Sequence, residues 1–241
     1  MNGASARIRK ITQCAAVLCL LGAPGPLLAG QLVGDTSPKL SGPALIAELQ
    51  KGGFVIYFRH GITSNSGEKD VADADLADCA LQRNLSDAGQ AQTRAIGAAF
   101  KTLRIPIGTV HASPYCRCLD TARNIFGKAV ESKALHFAIH LRHLDRTRVT
   151  HELLDGLATR PAPGTNTAMV SHTANLQEAV GIWPKPEGVA HIFKPSGDGN
   201  FSYVGVMQPG AWQVEAAQAS GRQPWGGGWF SALTQWFGNL R

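Results

Sequence analysis

The chain has 241 residues, with 23 Lys and Arg against 17 Asp and Glu, enough for one α/β domain with a substantial core. Its formal charge of +6 overstates any attraction to polyanions, because Arg7, Arg9 and Lys10 sit at the start and no Lys/Arg run follows. Nucleic acid, which requires basic residues gathered on one surface, is excluded as a partner.

Residues 1–30 run basic, apolar, small: the three cations, then Ile11 to Leu21, then Leu28-Ala29-Gly30. That order is the pattern of a secretory signal peptide, and the apolar run is shorter than the roughly 20 residues a bilayer span needs. The expectation is a periplasmic or secreted protein; a retained N-terminal anchor is the alternative. Without the leader the formal charge falls to +3, and three cysteines remain, Cys79, Cys116 and Cys118. An oxidising compartment favours one disulfide and one spare thiol. Cys79 is expected to pair with Cys116 or Cys118; spacing leaves both open.

Ser41-Gly-Pro43 opens a helix that buries Leu45, Ile46 and Leu49 and stops at Gly52-Gly53. Phe54 to Phe58 is a continuous β-prone run, as buried parallel strands are, and it empties into Arg59-His60-Gly61. A loop rich in acids (Glu68, Asp70, Asp73, Asp75, Asp78) continues to Asn84. It reads as a solvated loop, with a charge-screening lid as the sharper alternative. Ser86 caps a helix with Ala91, Ala95, Ile96, Ala99, Phe100 and Leu103 at helical spacing. Thr109 to Ala112 reads as a strand, and residues 115–126 as a helix closed by Gly127.

Further on, Leu135 to Leu141 reads as a strand and Thr150 to Leu157 as a helix. Thr167 to Ser171 is a strand ending at His172, and 173–180 a short helix stopped by Gly181. Val189 to Phe193 and Phe201 to Met207 flank Ser196-Gly-Asp-Gly-Asn200 and predict a β-hairpin. The fold class is therefore α/β: a doubly wound, mostly parallel sheet with helices on both faces and a C-terminal hairpin. The expected domains are a signal peptide over 1–30, a catalytic domain over 31–210 and a Gly/Trp-rich tail over 211–241. In that tail Trp229, Phe230, Leu233, Trp236, Phe237 and Leu240 share a helical face. The face either docks on the domain itself or makes a peripheral membrane contact through Trp229 and Trp236.

Three strands end in charged or titratable residues: Arg59-His60, Arg117 just past the second, and His172. Open α/β sheets bind ligands beyond the carboxyl ends of their strands, so these groups can meet. Two guanidiniums and two imidazoles make a receptor for a tetrahedral dianion. A neutral imidazole adds a nucleophile, and Gly61 allows close backbone approach. This design requires no metal and no cofactor. His136, His140 and His143 do not make a metal set: on a strand the first two share a face, the third opposes them, and no carboxylate joins the pattern.

Arg59-His60-Gly61 after an apolar strand, Leu85-Ser-Asp-Ala-Gly89 opening a helix, Ser113-Pro-Tyr-Cys-Arg117 followed by Thr121-Ala122, and Val170-Ser-His172 together resemble the histidine phosphatase superfamily, with its phosphoglycerate mutase-like fold. The resemblance covers most of residues 53–182. It implies that His60 is the phospho-accepting nucleophile and that Arg59, Arg117 and His172 complete the phosphate pocket. It points to small exported phosphatases, such as phosphohistidine or lipopolysaccharide heptose-phosphate phosphatases, rather than to mutases. The expected substrate is a small phosphorylated molecule or a phosphorylated envelope glycolipid. Gly61, Thr63, Arg83 and Glu187 are the expected substrate contacts. Mutase-type members often carry an acid after the triplet, where Ile62 stands here. For the general acid, Asp145 is the first choice, Glu187 the second, and Asp75 or Asp78 the third. A non-catalytic phosphate binder is the rival reading.

Overall fold

The structure is a computed structural model describing residues 36–64, 69–71 and 75–221. The leader, and the tail aromatics from Trp229 onward, lie outside the described residues. In chain order the elements are α1 (Gly42–Lys51), β1 (Val55–Arg59), α2 (Asp87–Thr102), β2 (Ile107–Ala112), α3 (Cys116–Phe126), β3 (Val130–Glu131), α4 (His143–Ala158), β4 (Asn166–Ser171), α5 (Thr173–Val180), β5 (Ala190–Pro195), β6 (Phe201–Met207) and α6 (Ala211–Ala219). Among the described residues the six strands form one sheet in the order β3-β2-β4-β1-β5-β6. β1 to β4 run parallel, β5 runs antiparallel to β1, and β5 and β6 form the expected hairpin.

Alternation along β1 divides the core in two. Phe54, Ile56 and Phe58 face one apolar layer with residues of α1, α2, α3 and α6; Val55 and Tyr57 face a second with α4 and α5. Both layers are apolar and buried, so β1 is covered on both faces and presents its functional groups only at its end. Behind that end, Phe58 packs against Phe100, Phe126 and the fully buried Trp212. Trp212 belongs to α6, so the core takes in residues beyond 210.

The strand expected over Leu135 to Leu141 is not formed. Two short 3₁₀ turns, Lys133–Leu135 and Ala138–His140, take its place. Side chains satisfy the backbone there: Ser171 donates to the Leu135 carbonyl, Asn175 donates to the His136 carbonyl, and the Ala138 amide donates to Asn175. Once those groups are paired, no ladder is needed. The helix expected from Thr150 starts at His143 instead, its polar first half tied by Arg146 to Glu178 and by Arg148 to Glu152.

Candidate active site

Pairing register places the candidate groups. β1 and β4 align Arg59 with Ser171, and β4 and β2 align Val170 with Ala112. The ladder continues past the strand ends, with the His60 amide donating to the Ser171 carbonyl (3.0 Å) and the Ser113 amide to the Val170 carbonyl (2.9 Å). His60, His172 and Ser113 therefore stand side by side at one edge of the sheet. The His60 and His172 rings lie 5.6 Å apart between centroids, and both residues are almost completely buried. Arg117 arrives from the first turn of α3 with no exposed surface. One of its Nη atoms lies 3.4 Å from Nδ1 of His172, and its guanidinium sits over the Tyr115 ring at 4.6 Å.

Hydrogen bonds set the tautomers. His60 Nδ1 faces the Gly61 carbonyl at 2.9 Å and must carry the hydrogen, because a carbonyl only accepts. The lone pair is left on Nε2. For His172, Nδ1 faces a guanidinium and accepts, so Nε2 donates to Ser113 Oγ at 2.8 Å. Burial first and Arg117 second hold both imidazoles well below the ordinary histidine range; Arg59 and Arg83 add to the effect at His60. Both rings are neutral at neutral pH, and His60 has an available lone pair.

The loop that carries His60 is braced from α2 and α3. The Gly61 amide donates to Thr121 Oγ1 (2.9 Å). A Cβ at Gly61 would lie 2.6 Å from the Thr93 methyl, and one at Gly89 would lie 1.9 Å from the Ile62 carbonyl oxygen. Both glycines are needed for this close packing, which gives Gly61 a reason beyond phosphate approach.

The remaining expected residues divide. Arg59 donates to Glu187 Oε1 (3.1 Å) and to the Pro184 carbonyl (3.3 Å). Glu187 also accepts from Thr63 Oγ1 (3.0 Å) and the Thr63 amide (3.1 Å). Glu187 and Thr63 therefore hold Arg59 in place, and both Glu187 oxygens are engaged. Arg83 reaches the site through its backbone, its carbonyl accepting from Arg117 (3.3 Å). Asp145, the first choice for general acid, is not brought to the cluster. It lies in the first turn of α4, 45% exposed, opposite Arg148 at 3.7 Å. Asp75 and Asp78 accept from the amides of Ala77 and Ala80 in local turns.

The structure adds residues that the sequence reading did not single out. Asp70 forms a two-pronged pair with Arg117, Oδ1 at 2.7 Å from Nη1 and Oδ2 at 3.1 Å from Nη2. A carboxylate therefore occupies the fork expected to hold phosphate. Ser113, Tyr115 and Phe137 surround His172, the last stacked on it at 4.4 Å. Nε of Arg59 and Nε of Arg117 are buried without an acceptor among the described residues. Such orphan donors are rare in proteins, and an oxyanion is the kind of ligand that satisfies them. Cys79 pairs with Cys116, not Cys118, with Cα atoms 5.8 Å apart, and Cys118 is a buried thiol.

Residues 55–142, which carry Arg59-His60 and Arg117, match the family model of the histidine phosphatase superfamily (branch 1), and this stretch belongs to that superfamily. No curated protein matches the chain. Among solved structures, the protein histidine phosphatase SixA complexed with tungstate is 17% identical, with 65% of this chain and 97% of that one covered and a TM-score of 0.46. A phosphoserine phosphatase mutant from Entamoeba histolytica in complex with phosphoserine is 14% identical, with 66% and 98% covered and a TM-score of 0.44. A mycobacterial glucosyl-3-phosphoglycerate phosphatase complexed with VO3 is 15% identical, with 63% and 97% covered and a TM-score of 0.45. The family match and the residues it spans identify a phosphatase of the histidine type.

Proposed function

We propose that the protein is a phosphomonoesterase of the cell envelope that works through a phosphohistidine on His60, with guanidinium groups in place of a metal as the source of positive charge. One observation carries the reading: a buried, neutral His60 whose Nδ1 hydrogen is committed to Gly61, leaving Nε2 free beside Arg117 and His172. Phosphoryl transfer asks mainly for positioning and neutralisation of the equatorial oxygens. Arg117 and Arg59 are the donors for that task, and His172 positions Arg117 through Nδ1. Nε2 of His60 attacks phosphorus in line, the alcohol leaves, and water then cleaves the phosphoramidate.

The leader pattern and the Cys79–Cys116 disulfide support export, since such bonds persist in oxidising compartments. A cavity of about 690 Å³ beside the site, bounded by Pro114, Cys116 and His136 and carrying Arg123, Lys133 and Arg148 together with Asp75 and Glu131, supports a substrate with a sizeable polar body. A sugar phosphate or the phosphorylated head of an envelope glycolipid has that character.

The test is trapping. Wild-type enzyme quenched with base during turnover of a labelled aryl phosphate should carry label that is stable to alkali and lost in acid. His60→Ala should carry none and turn over nothing. Label on a serine would overturn the mechanism, and phosphate binding without turnover would favour the non-catalytic binder.

A further inference from the structure

We propose that Asp70 is the acid that protonates the leaving oxygen, taking up this task when the substrate's phosphate replaces it on Arg117. The inference rests on the phosphatase reading above and adds the proton donor that reading lacks.

A guanidinium fork binds a carboxylate and a phosphate through the same pair of parallel N–H···O bonds. The Asp70 oxygens on Nη1 and Nη2 of Arg117 therefore mark where two oxygens of the substrate phosphate sit. The side chain of Arg117 is wholly buried and that of Asp70 is 10% exposed. Their pairing thus lies within the site, next to His172. Asp70 Oδ1 also accepts from the Arg83 amide at 3.1 Å, so a carboxyl displaced from this fork by an oxyanion keeps a backbone anchor beside it. The other described carboxylates near the site are committed or remote. Glu187 holds Arg59 and the Thr63 amide, Asp75 and Asp78 cap local turns, and Asp145 faces Arg148 on the surface.

The steps balance. Displaced from its guanidinium and set against a dianion, the Asp70 carboxylate takes a proton from solvent. Nε2 of His60 then forms a bond to phosphorus as the phosphorus–oxygen bond to the alcohol breaks. The departing oxygen receives the Asp70 proton, which leaves free alcohol, phosphohistidine and an Asp70 carboxylate. Water next adds to phosphorus as the nitrogen–phosphorus bond breaks, and both protons of the water stay on the phosphate that forms. Dihydrogen phosphate departs, and the Asp70 carboxylate returns to Arg117.

Asp70→Asn separates this role from a merely structural one. General acids contribute about 10²–10⁴-fold when the leaving group is poor. The variant should lose that much kcat on an alkyl phosphate. It should keep p-nitrophenyl phosphate turnover within a few-fold, which also reports that it is folded. With the competing charge removed from Arg117, tungstate should bind about tenfold more tightly or better, as expected for losing a rival charge-assisted bond. Equal loss on both substrates would overturn the proposal, as would unchanged alkyl turnover with tightened tungstate binding, since Asp70 would then be only a competitor. If wild type forms no phosphohistidine from the aryl phosphate, the phosphatase mechanism itself fails. If it does and Asp70→Asn treats both substrates alike, only the role of Asp70 fails.

Discussion

Ser113 Oγ lies 2.8 Å from Nε2 of His172, while Nδ1 of the same ring faces Arg117. The two contacts together fix one tautomer of a buried, uncharged imidazole. Ser113 is itself buried, at the end of β2. The serine thereby decides which nitrogen carries the hydrogen aimed away from the guanidinium.

Ser113→Ala should therefore loosen His172 without touching the nucleophile. The expected result is a kcat reduced about tenfold, the size of one weakened hydrogen-bond donor. The trapped phosphohistidine should still appear, forming and decaying more slowly. Rapid-quench measurement of both phases checks this; an unchanged rate in each would mean the serine contact is incidental.

Arg117→Lys keeps the charge and removes the fork. Lysine presents one compact ammonium and cannot span two oxygens in parallel; it also gives up the face-on contact with Tyr115. A fall in kcat/KM of about 10²–10³ is expected, in the range found for losing a preorganised donor. Steady-state kinetics on an aryl phosphate measures it. Wild-type activity in the variant would mean that point charge alone suffices.

The buried imidazoles predict an acid-sensitive fold. Burial and Arg117 hold the folded His60 and His172 below the ordinary range, and burial alone pushes His191 down to about 4. On acidification the unfolded chain takes up protons near pH 6.5 that the native rings refuse. The stability present above about pH 6.5 should therefore fall as pH drops toward 5, by up to about 1.4 kcal/mol per pH unit for each such ring. Urea midpoints between pH 7.5 and 5 give the slope. His172→Asn should flatten it by close to one proton's worth, and a flat wild-type profile would show that the rings are charged in the fold.

Reduction of Cys79–Cys116 should cost about 3–4 kcal/mol, the loop-closure value for a separation of 37 residues. Denaturant curves with and without reductant measure the loss. In a chain with Cys14 and Cys19 replaced by serine, Cys118 should resist thiol reagents until the protein unfolds, because burial pushes its thiol up to about 12. Rapid labelling of the native protein would contradict that burial.

The sheet was legible because its signals are local. The Phe54 to Phe58 run needs no partner to be recognised, and Gly127 and Gly181 end their helices in the left-handed conformation that favours glycine. The segment at Leu135 to Leu141 misled for a comparable reason. Its alternating apolar residues resemble a strand, and nothing nearby in the sequence reveals that Asn175 and Ser171 satisfy its backbone. The sequence places the start of α4 too late because its buried apolar residues, Val149, Leu153, Leu154 and Leu157, begin only near the middle of the helix. Of the site, the groups at strand ends could be found from the sheet architecture. Asp70 could not, since its contact with Arg117 crosses 47 residues and joins a loop to a helix start without any periodic signal.

His60, Ser113 and His172 hang from neighbouring strands whose spacing, about 4.8 Å, is set by main-chain bonds. The walls of the adjoining cavity are mostly connections, the segment around Asp75, the turn after β2 and the stretch from β3 to α4, joined by Cys116, Leu119 and Arg123 of α3 and by Arg148 of α4. Apart from Asp70 and Arg117, what is transferred and what carries it are thus specified by separate parts of the chain. Grafting new connections onto this frame, with Asp70 and α3 kept, should redirect which alcohol is released while the phosphorus chemistry stays as it is.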